Sequence, residues 1–182
     1  RRLHLCRSDR LTSRSYLLLW RATRPAPKEC GRYGVAGTAV TKSYDAWLGR
    51  LKVGMVMRFR LTANPTHSIV DPIHPKGRVV PHVTIEQQKQ WLADRAIRAG
   101  FELVDHRETT SDKIHEFAFD VVSHDWPMLH RAKGHGVRLS RVTFEGLLCV
   151  KDLPTFKQTL TRGIGREKAF GMGLMTVIPE VQ

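Results

Sequence analysis

The sequence predicts an α+β fold of two tandem ferredoxin-like (βαββαβ) domains, the first truncated at its N-terminus. Three observations predict it. The second half of the chain runs strand, helix, two strands, helix, strand, the order of one such unit. The first half runs two strands, a short helix and a strand, which is the same order without its opening strand and helix. A proline-rich connection from Asn64-Pro65 through Pro72, Pro75 and Pro81 lies between them, so the expected domains are residues 1–63 and 64–182.

The elements follow from periodicity. Leu3-His4-Leu5 alternates like a strand interior, and Ser15-Tyr16-Leu17-Leu18-Leu19-Trp20 reads as a buried strand, with the polar stretch Ser8 to Arg14 between them. Pro25, Pro27, Gly31, Gly34 and Gly37 mark residues 24–42 as loop. Tyr44, Trp47, Leu48 and Leu51 share one face of a short helix capped by Ser43 and ended by Gly54. Met57, Phe59, Leu61 and Ala63 alternate with Arg58, Arg60 and Thr62, which gives a strand with a basic outer face. The strongest helix is 85–99. Thr84 and Gln87 form a capping box, Ile85, Leu92 and Ala96 make an apolar stripe, and Gly100 stops it. Strands are expected at 102–105, 117–122 and 142–150, with a basic loop from His130 to Arg138. Asp152 caps a helix striped by Leu153, Phe156, Leu160 and Ile164, and 174–178 is the closing strand. The chain begins at Arg1, and its first Met is Met55. An absent or processed N-terminal piece is therefore expected.

Charge says more about function than size does. Thirty Lys and Arg face 17 Asp and Glu, a net charge of +13. Most of the excess lies in residues 1–63, which hold 14 basic and 3 acidic side chains. Such asymmetry points to a polyanion, nucleic acid before membrane. No apolar run is long enough for a membrane span. Cys6, Cys30 and Cys149 have neither disulfide nor zinc spacing, which suits a reducing cytoplasm. The nine histidines, among them His67, His74, His82, His124, His130 and His135, lack metal-ligand spacing, so no metal or cofactor is expected. Neither a GxSxG elbow nor a Cys-His nucleophile pattern is present.

The sharpest feature is the segment Arg162-Gly163-Ile164-Gly165-Arg166-Glu167-Lys168-Ala169-Phe170-Gly171-Met172-Gly173-Leu174. Glycines let a backbone approach an anion and aim N–H groups at it, while Arg162, Arg166 and Lys168 supply charge-assisted contacts. It is not a P-loop, because GxxxxGK[ST] is absent and the loop follows a helix. Only Gly163 is needed for an ordinary helix stop. Arg138 and Arg141 flank a second basic stretch, Arg131, Lys133, Gly134, His135 and Gly136. Arg95 and Arg98 read as solvated helix surface.

The glycine-rich segment resembles the C-terminal signature of the CasE family, the repeat-cleaving subunits of the type I-E CRISPR Cascade complex. Arg58-Phe59-Arg60-Leu61-Thr62-Ala63-Asn64-Pro65 resembles that family's mid-chain motif. Arg141-Val142-Thr143-Phe144-Glu145-Gly146 resembles the strand before its last helix. The resemblance implies two ferredoxin-like domains, and as partners a CRISPR repeat stem-loop RNA and the other Cascade subunits. It implies metal-independent cleavage in which a ribose 2′-OH attacks the neighbouring phosphate, leaving a 2′,3′-cyclic phosphate and a 5′-OH. The RNA-binding set it implies is Arg138, Arg141, Arg162, Gly163, Gly165, Arg166, Lys168, Gly171 and Gly173. Lys168 would be the catalytic cation, stabilising the charged phosphorane. The family's cleavage histidine sits on the first helix, which no residue here matches, and His4 on its strand does not replace it. The expected function is thus repeat recognition and precursor RNA processing, with this stretch alone binding without cutting. The alternative is a non-catalytic RNA-binding subunit, and a more distant one a basic ribosome-associated protein.

Overall fold

The computed structural model describes residues 5–11, 14–20, 42–73, 75–104, 119–129 and 136–180. His4, the loop at 24–41, and Arg131, Lys133, Gly134 and His135 lie outside them. Strands β1 (Leu5–Leu11) and β2 (Arg14–Trp20) form an antiparallel hairpin with Leu5 opposite Trp20 and Leu11 opposite Arg14. The first strand therefore runs on through the polar residues 8–11 that were expected to be a connection. Helix α1 is short, Asp45–Leu48. Ser43 Oγ accepts the Asp45 N–H at 3.3 Å, a local cap one residue before the N-cap position. Tyr44 and Trp47 stack at 4.9 Å and pack with Leu48 against the core.

The rest of the described chain is built on β3 (Val56–Ala63), α2 (Ile85–Ala96), β6 (Phe101–Leu103), β7 (Phe119–Asp125), β10 (Arg141–Val150), α3 (Leu153–Arg162) and β11 (Met175–Pro179). One antiparallel sheet has the order β11-β3-β10, with β6 and β7 pairing successive stretches of the far edge of β10. If β6 and β7 count as one interrupted strand, the order is fourth, first, third, second, that of a ferredoxin-like unit. Two small hairpins are added: β4 (Thr66–Ile69) with β5 (Arg78–Pro81), and β8 (Met128–Leu129) with β9 (Val137–Arg138).

Strand β3 pairs in the sheet of the elements that follow it. It was assigned to the first unit, ending at residue 63, yet it is the inner strand of the second unit's sheet. Val56–Ala63 pairs with β10 along its whole length and with β11 over Met57–Leu61. The physical reason is burial. Met57, Phe59, Leu61 and Ala63 point into one core with Phe144, Leu148 and Val150, covered by Trp91, Leu92 and Ala96 of α2 and by Phe156 and Leu160 of α3. Even Leu51 belongs to this core.

The basic outer face of β3 is also modified. Arg58 pairs with Glu180 at 2.9 Å and Arg60 with Glu145 at 2.8 Å, so neighbouring acids take up both charges.

Helix α2 begins as expected, with Thr84 Oγ1 accepting the Gln87 N–H and the Gln87 side chain reaching back to the Thr84 N–H. Such a box contributes about 1 kcal/mol. Its buried stripe is Gln88, Trp91, Leu92 and Ala96. Ile85, expected in that stripe, is exposed. The first turn precedes the point where the helix meets the sheet, and Trp91 supplies the bulk instead. Residues 97–99 tighten into a 3-10 turn, and Gly100 follows at φ +87. A side chain there would meet the Phe156 N at 2.5 Å, so only glycine lets the chain pass α3.

Candidate nucleic-acid interface

The antiparallel register gathers the predicted residues at one end of the sheet. Ala63 near the end of β3 lies opposite Val142 near the start of β10, and Leu61 lies opposite Met175, which opens β11. The glycine-rich loop between α3 and β11 therefore sits beside the start of β10 and the chain leaving β9.

The loop is closed like a buckle. Ile164 N–H donates to Gly173 O at 2.9 Å, and Gly173 N–H donates to Thr62 O at 2.7 Å. A Cβ on Gly173 would lie 2.5 Å from Ile164 O, which makes glycine obligatory at that crossing. Gly165, at φ +82, lies against the Trp91 ring, with room for a Cβ only at 3.0 Å. Between the two crossings Glu167 takes the left-handed region at φ +59, and Lys168–Phe170 make one 3-10 turn closed by Phe170 N–H on Glu167 O. A non-glycine residue at positive φ stores backbone strain, and the buckle on either side holds it in place.

This arrangement revises how the glycines act. They were expected to aim N–H groups at an anion. Instead Gly163 donates to Thr159 O, Gly171 to Lys168 O and Gly173 to Thr62 O. These glycines shape the loop, and the cations are left to face outward. Arg162 and Arg166 are exposed and Lys168 is half-buried. None of the three has an ion-pair partner among the described residues. Burial lowers the Lys168 pKa from its ordinary value, and the Arg162 charge lowers it further.

Arg138 and Arg141 lie at the same end of the sheet but in different states. Arg141 is tied to Asp125 across the β10–β7 pair, Nε to Oδ1 at 2.8 Å and a second, shorter bond to Oδ2. The hydrogen bond from Arg141 holds the Asp125 carboxyl below the usual range. Arg138 has its guanidinium over the Trp126 ring at 5.4 Å, with no acid partner among the described residues. Beneath them His124 links Gln88 Nε2 at 3.3 Å to Ser140 Oγ at 3.1 Å, fastening α2 to the start of β10.

The sequence reading missed a pocket of about 170 Å³ between β4, α2 and the loop, with His67, Trp91, Arg95 and Arg166 on its walls. Arg95, expected to be solvated surface, lies over the Trp91 ring at 4.4 Å and donates to Trp91 O at 2.9 Å. His67 and His82 face each other at 4.5 Å between ring centroids. The only signal available in the sequence was an Arg four residues after a Trp on a strong helix. Among the described residues no group of three His, Cys, Asp or Glu could hold a metal, and no helix is long and apolar enough to cross a membrane.

A family model described as CRISPR associated protein matches residues 1–179. The chain belongs to that family. Within it, the CasE resemblance carried by the three motifs holds. The CRISPR-associated endoribonuclease Cse3 of Thermus thermophilus is 33% identical over 129 residues, covering 71% of this chain and 58% of that protein. The CRISPR system Cascade subunit CasE of Escherichia coli is 28% identical over 137 residues, 71% of this chain and 61% of that protein. The chain thus spans about three fifths of the curated relatives it matches. A solved structure of Thermus thermophilus Cse3, bound to an RNA representing a pre-cleavage complex, superposes with a TM-score of 0.76 at 24% identity. It covers 98% of this chain and 79% of that one, a likeness that speaks for the fold. The tandem ferredoxin-like architecture read from the sequence agrees with that likeness.

Proposed function

We propose that this chain recognises a CRISPR repeat stem-loop RNA and carries the phosphate-gripping part of a metal-independent endoribonuclease, working with other Cascade subunits in the cytoplasm. One observation carries the reading: Arg162, Arg166 and Lys168 stand without an acidic partner among the described residues, on a loop whose ends are fixed to β3 and α3. The names of the relatives, a CRISPR-associated endoribonuclease and a Cascade subunit, support it.

In this proposal the ribose 2′-OH attacks the adjacent phosphorus, the bond to the 5′-oxygen breaks, and a 2′,3′-cyclic phosphate and a 5′-OH result. Charge builds on the non-bridging oxygens as the phosphorane forms. Lys168, held by its 3-10 turn, is the catalytic cation that stabilises that charge, and an anion there would raise its lowered pKa. Arg162 and Arg166 position the flanking phosphates. Gly163, Gly165, Gly171 and Gly173 give the loop its shape. Arg138 grips the stem, while Arg141, tied to Asp125, fixes the strand from which that grip is made. A-form RNA presents phosphates and shape more readily than base edges, which suits arginine and lysine.

Binding of a repeat hairpin and of an unstructured RNA of equal length, each at two salt concentrations, tests the reading. The hairpin is expected to bind at least about tenfold tighter, with log affinity falling linearly in log salt. Equal affinity for the two RNAs would overturn the specific reading whatever the salt slope.

A further inference from the structure

We infer that the pocket between β4, α2 and the glycine-rich loop is a second phosphodiester subsite, separate from Lys168, built by Arg95 and Arg166 with His67 on its open wall. The inference rests on the RNA reading above and extends it from Arg166 of the glycine-rich loop to Arg95 and His67, which the sequence motifs do not include.

Concavity and charge come together here. The pocket holds about 170 Å³, room for a phosphate group and a few waters, and no acidic side chain lines it. Four arginines of this unit are matched to acids, Arg58–Glu180, Arg60–Glu145, Arg78–Asp71 and Arg141–Asp125. Arg95 and Arg166 have no such partner among the described residues. Asp94, which also acts on Arg95 and His82, already accepts from Gln90 Nε2 at 2.6 Å.

The guanidinium of Arg95 is aimed as well as charged. One nitrogen is held by Trp91 O and the flat face rests on the indole. That leaves the remaining donors of the fork for a ligand. Gly165 lies against the far end of the same indole, which brings the Arg166 backbone to the opposite wall. Thr66 and Ser68 add hydroxyls along β4.

Behind His67 stands His82, whose Nδ1 is buried with no hydrogen-bond partner among the described residues. Burial lowers the His82 pKa first, and His67 and Arg95 lower it further. Burial and Arg98 likewise lower that of Arg95. Both groups stand in a field that bound anion charge would offset. A two-stranded hairpin, a helix and a loop converge on this spot, and no acidic side chain lines it. The ligand chemistry is a phosphate oxyanion, and its position beside Arg166 makes the RNA backbone the source.

Two measurements on the full chain test this. Inorganic phosphate is titrated while the imidazole NMR signals of His67 and His82 are followed, and repeat-hairpin affinity is measured across salt for wild type and Arg95→Gln. Phosphate is expected to move both histidine signals in wild type and not in Arg95→Gln. The variant's hairpin affinity is expected to fall about tenfold and its log–log salt slope by about one. Arg95 also packs on Trp91, so His67→Gln on the exposed wall is the second variant, expected to weaken the hairpin about threefold with an unchanged melting temperature. Unchanged affinity and slope in both variants overturn the inference, and a phosphate response alone then assigns the pocket to free phosphate. A wild-type chain that fails to bind the hairpin would instead overturn the RNA reading, with the phosphate titration still deciding whether the pocket takes an anion.

Discussion

The outer face of the sheet and the glycine-rich loop both carry arginine, and they treat it differently. On the outer face of the sheet Arg58 and Arg60 lie beside Glu180 and Glu145, each within 2.9 Å of a carboxylate. At the loop end Arg162, Arg166 and Lys168 have no ion-pair partner among the described residues, and burial, then the Arg162 charge, lower the Lys168 pKa. Surface pairs of the first kind contribute little and are screened by salt. Cations of the second kind keep their donors free of carboxylates. Composition alone records both as positive charge, and it is geometry that separates paired from unpaired cations.

The largest expected effect breaks the second region outright. Replacing Arg162, Arg166 and Lys168 together by glutamine should lower hairpin affinity by roughly 10²–10³-fold and reduce the salt slope by about three. A slope that stays at the wild-type value would mean the phosphate contacts lie elsewhere.

A smaller and more selective effect is expected from Lys168→Ala in the cleavage-competent assembly. Single-turnover rates at saturating protein should fall about 10²-fold while affinity changes only a fewfold. The pH dependence has a definite sign. At subsaturating protein, where the free chain's ionisation controls the rate, burial and then the Arg162 charge hold the folded pKa low, so the protonated lysine and its share of the rate are lost as pH rises, at a lower pH than for an ordinary lysine. A rate unchanged in the variant, with weaker binding, would make Lys168 a positioning contact only.

The smallest effect sharpens the comparison from the other side. Arg58→Gln with Arg60→Gln should leave hairpin affinity within about twofold, since both charges are already answered by carboxylates. A loss as large as that at the loop would erase the distinction between the two regions.

Much of this was legible in the sequence, and the failures have physical causes. Helix α2 was readable because its capping box is local, and α3 because its stripe repeats at helical spacing. Strand β3 was readable as a strand but not as to its sheet. Chain order places it before a run of prolines, whereas ferredoxin-like topology sets the first strand between the third and fourth. The β4–β5 hairpin was hidden by those prolines, which read as connection and here lie in and around a two-stranded ribbon. The loop's cations were found because they are contiguous. Arg95, His67 and Arg166 were not connected, since they arrive from three segments that only the folded chain brings together. The glycines were noticed as a cluster, but the backbone carbonyls that take the N–H groups of Gly163, Gly171 and Gly173 lie at positions no motif records.

The inner position of β3 has a consequence for the order in which the protein can be made. Both of its neighbours lie later in the chain: the hydroxyls of Thr62 and Thr143 meet 81 residues apart, and Arg58 meets Glu180 across 122. On a ribosome adding about 5–20 residues per second, β3 emerges roughly 4–16 s before β10 can pair with it. For that interval Met57, Phe59 and Leu61 stand on a strand with two open edges. Pairing at such separation also makes folding slow. The arginines between those apolar residues are then charged and without their acids, since Glu145 and Glu180 are not yet synthesised. In the nascent chain they act as gatekeepers against strand-to-strand aggregation, and they become ion pairs only after Glu145 and Glu180 have emerged.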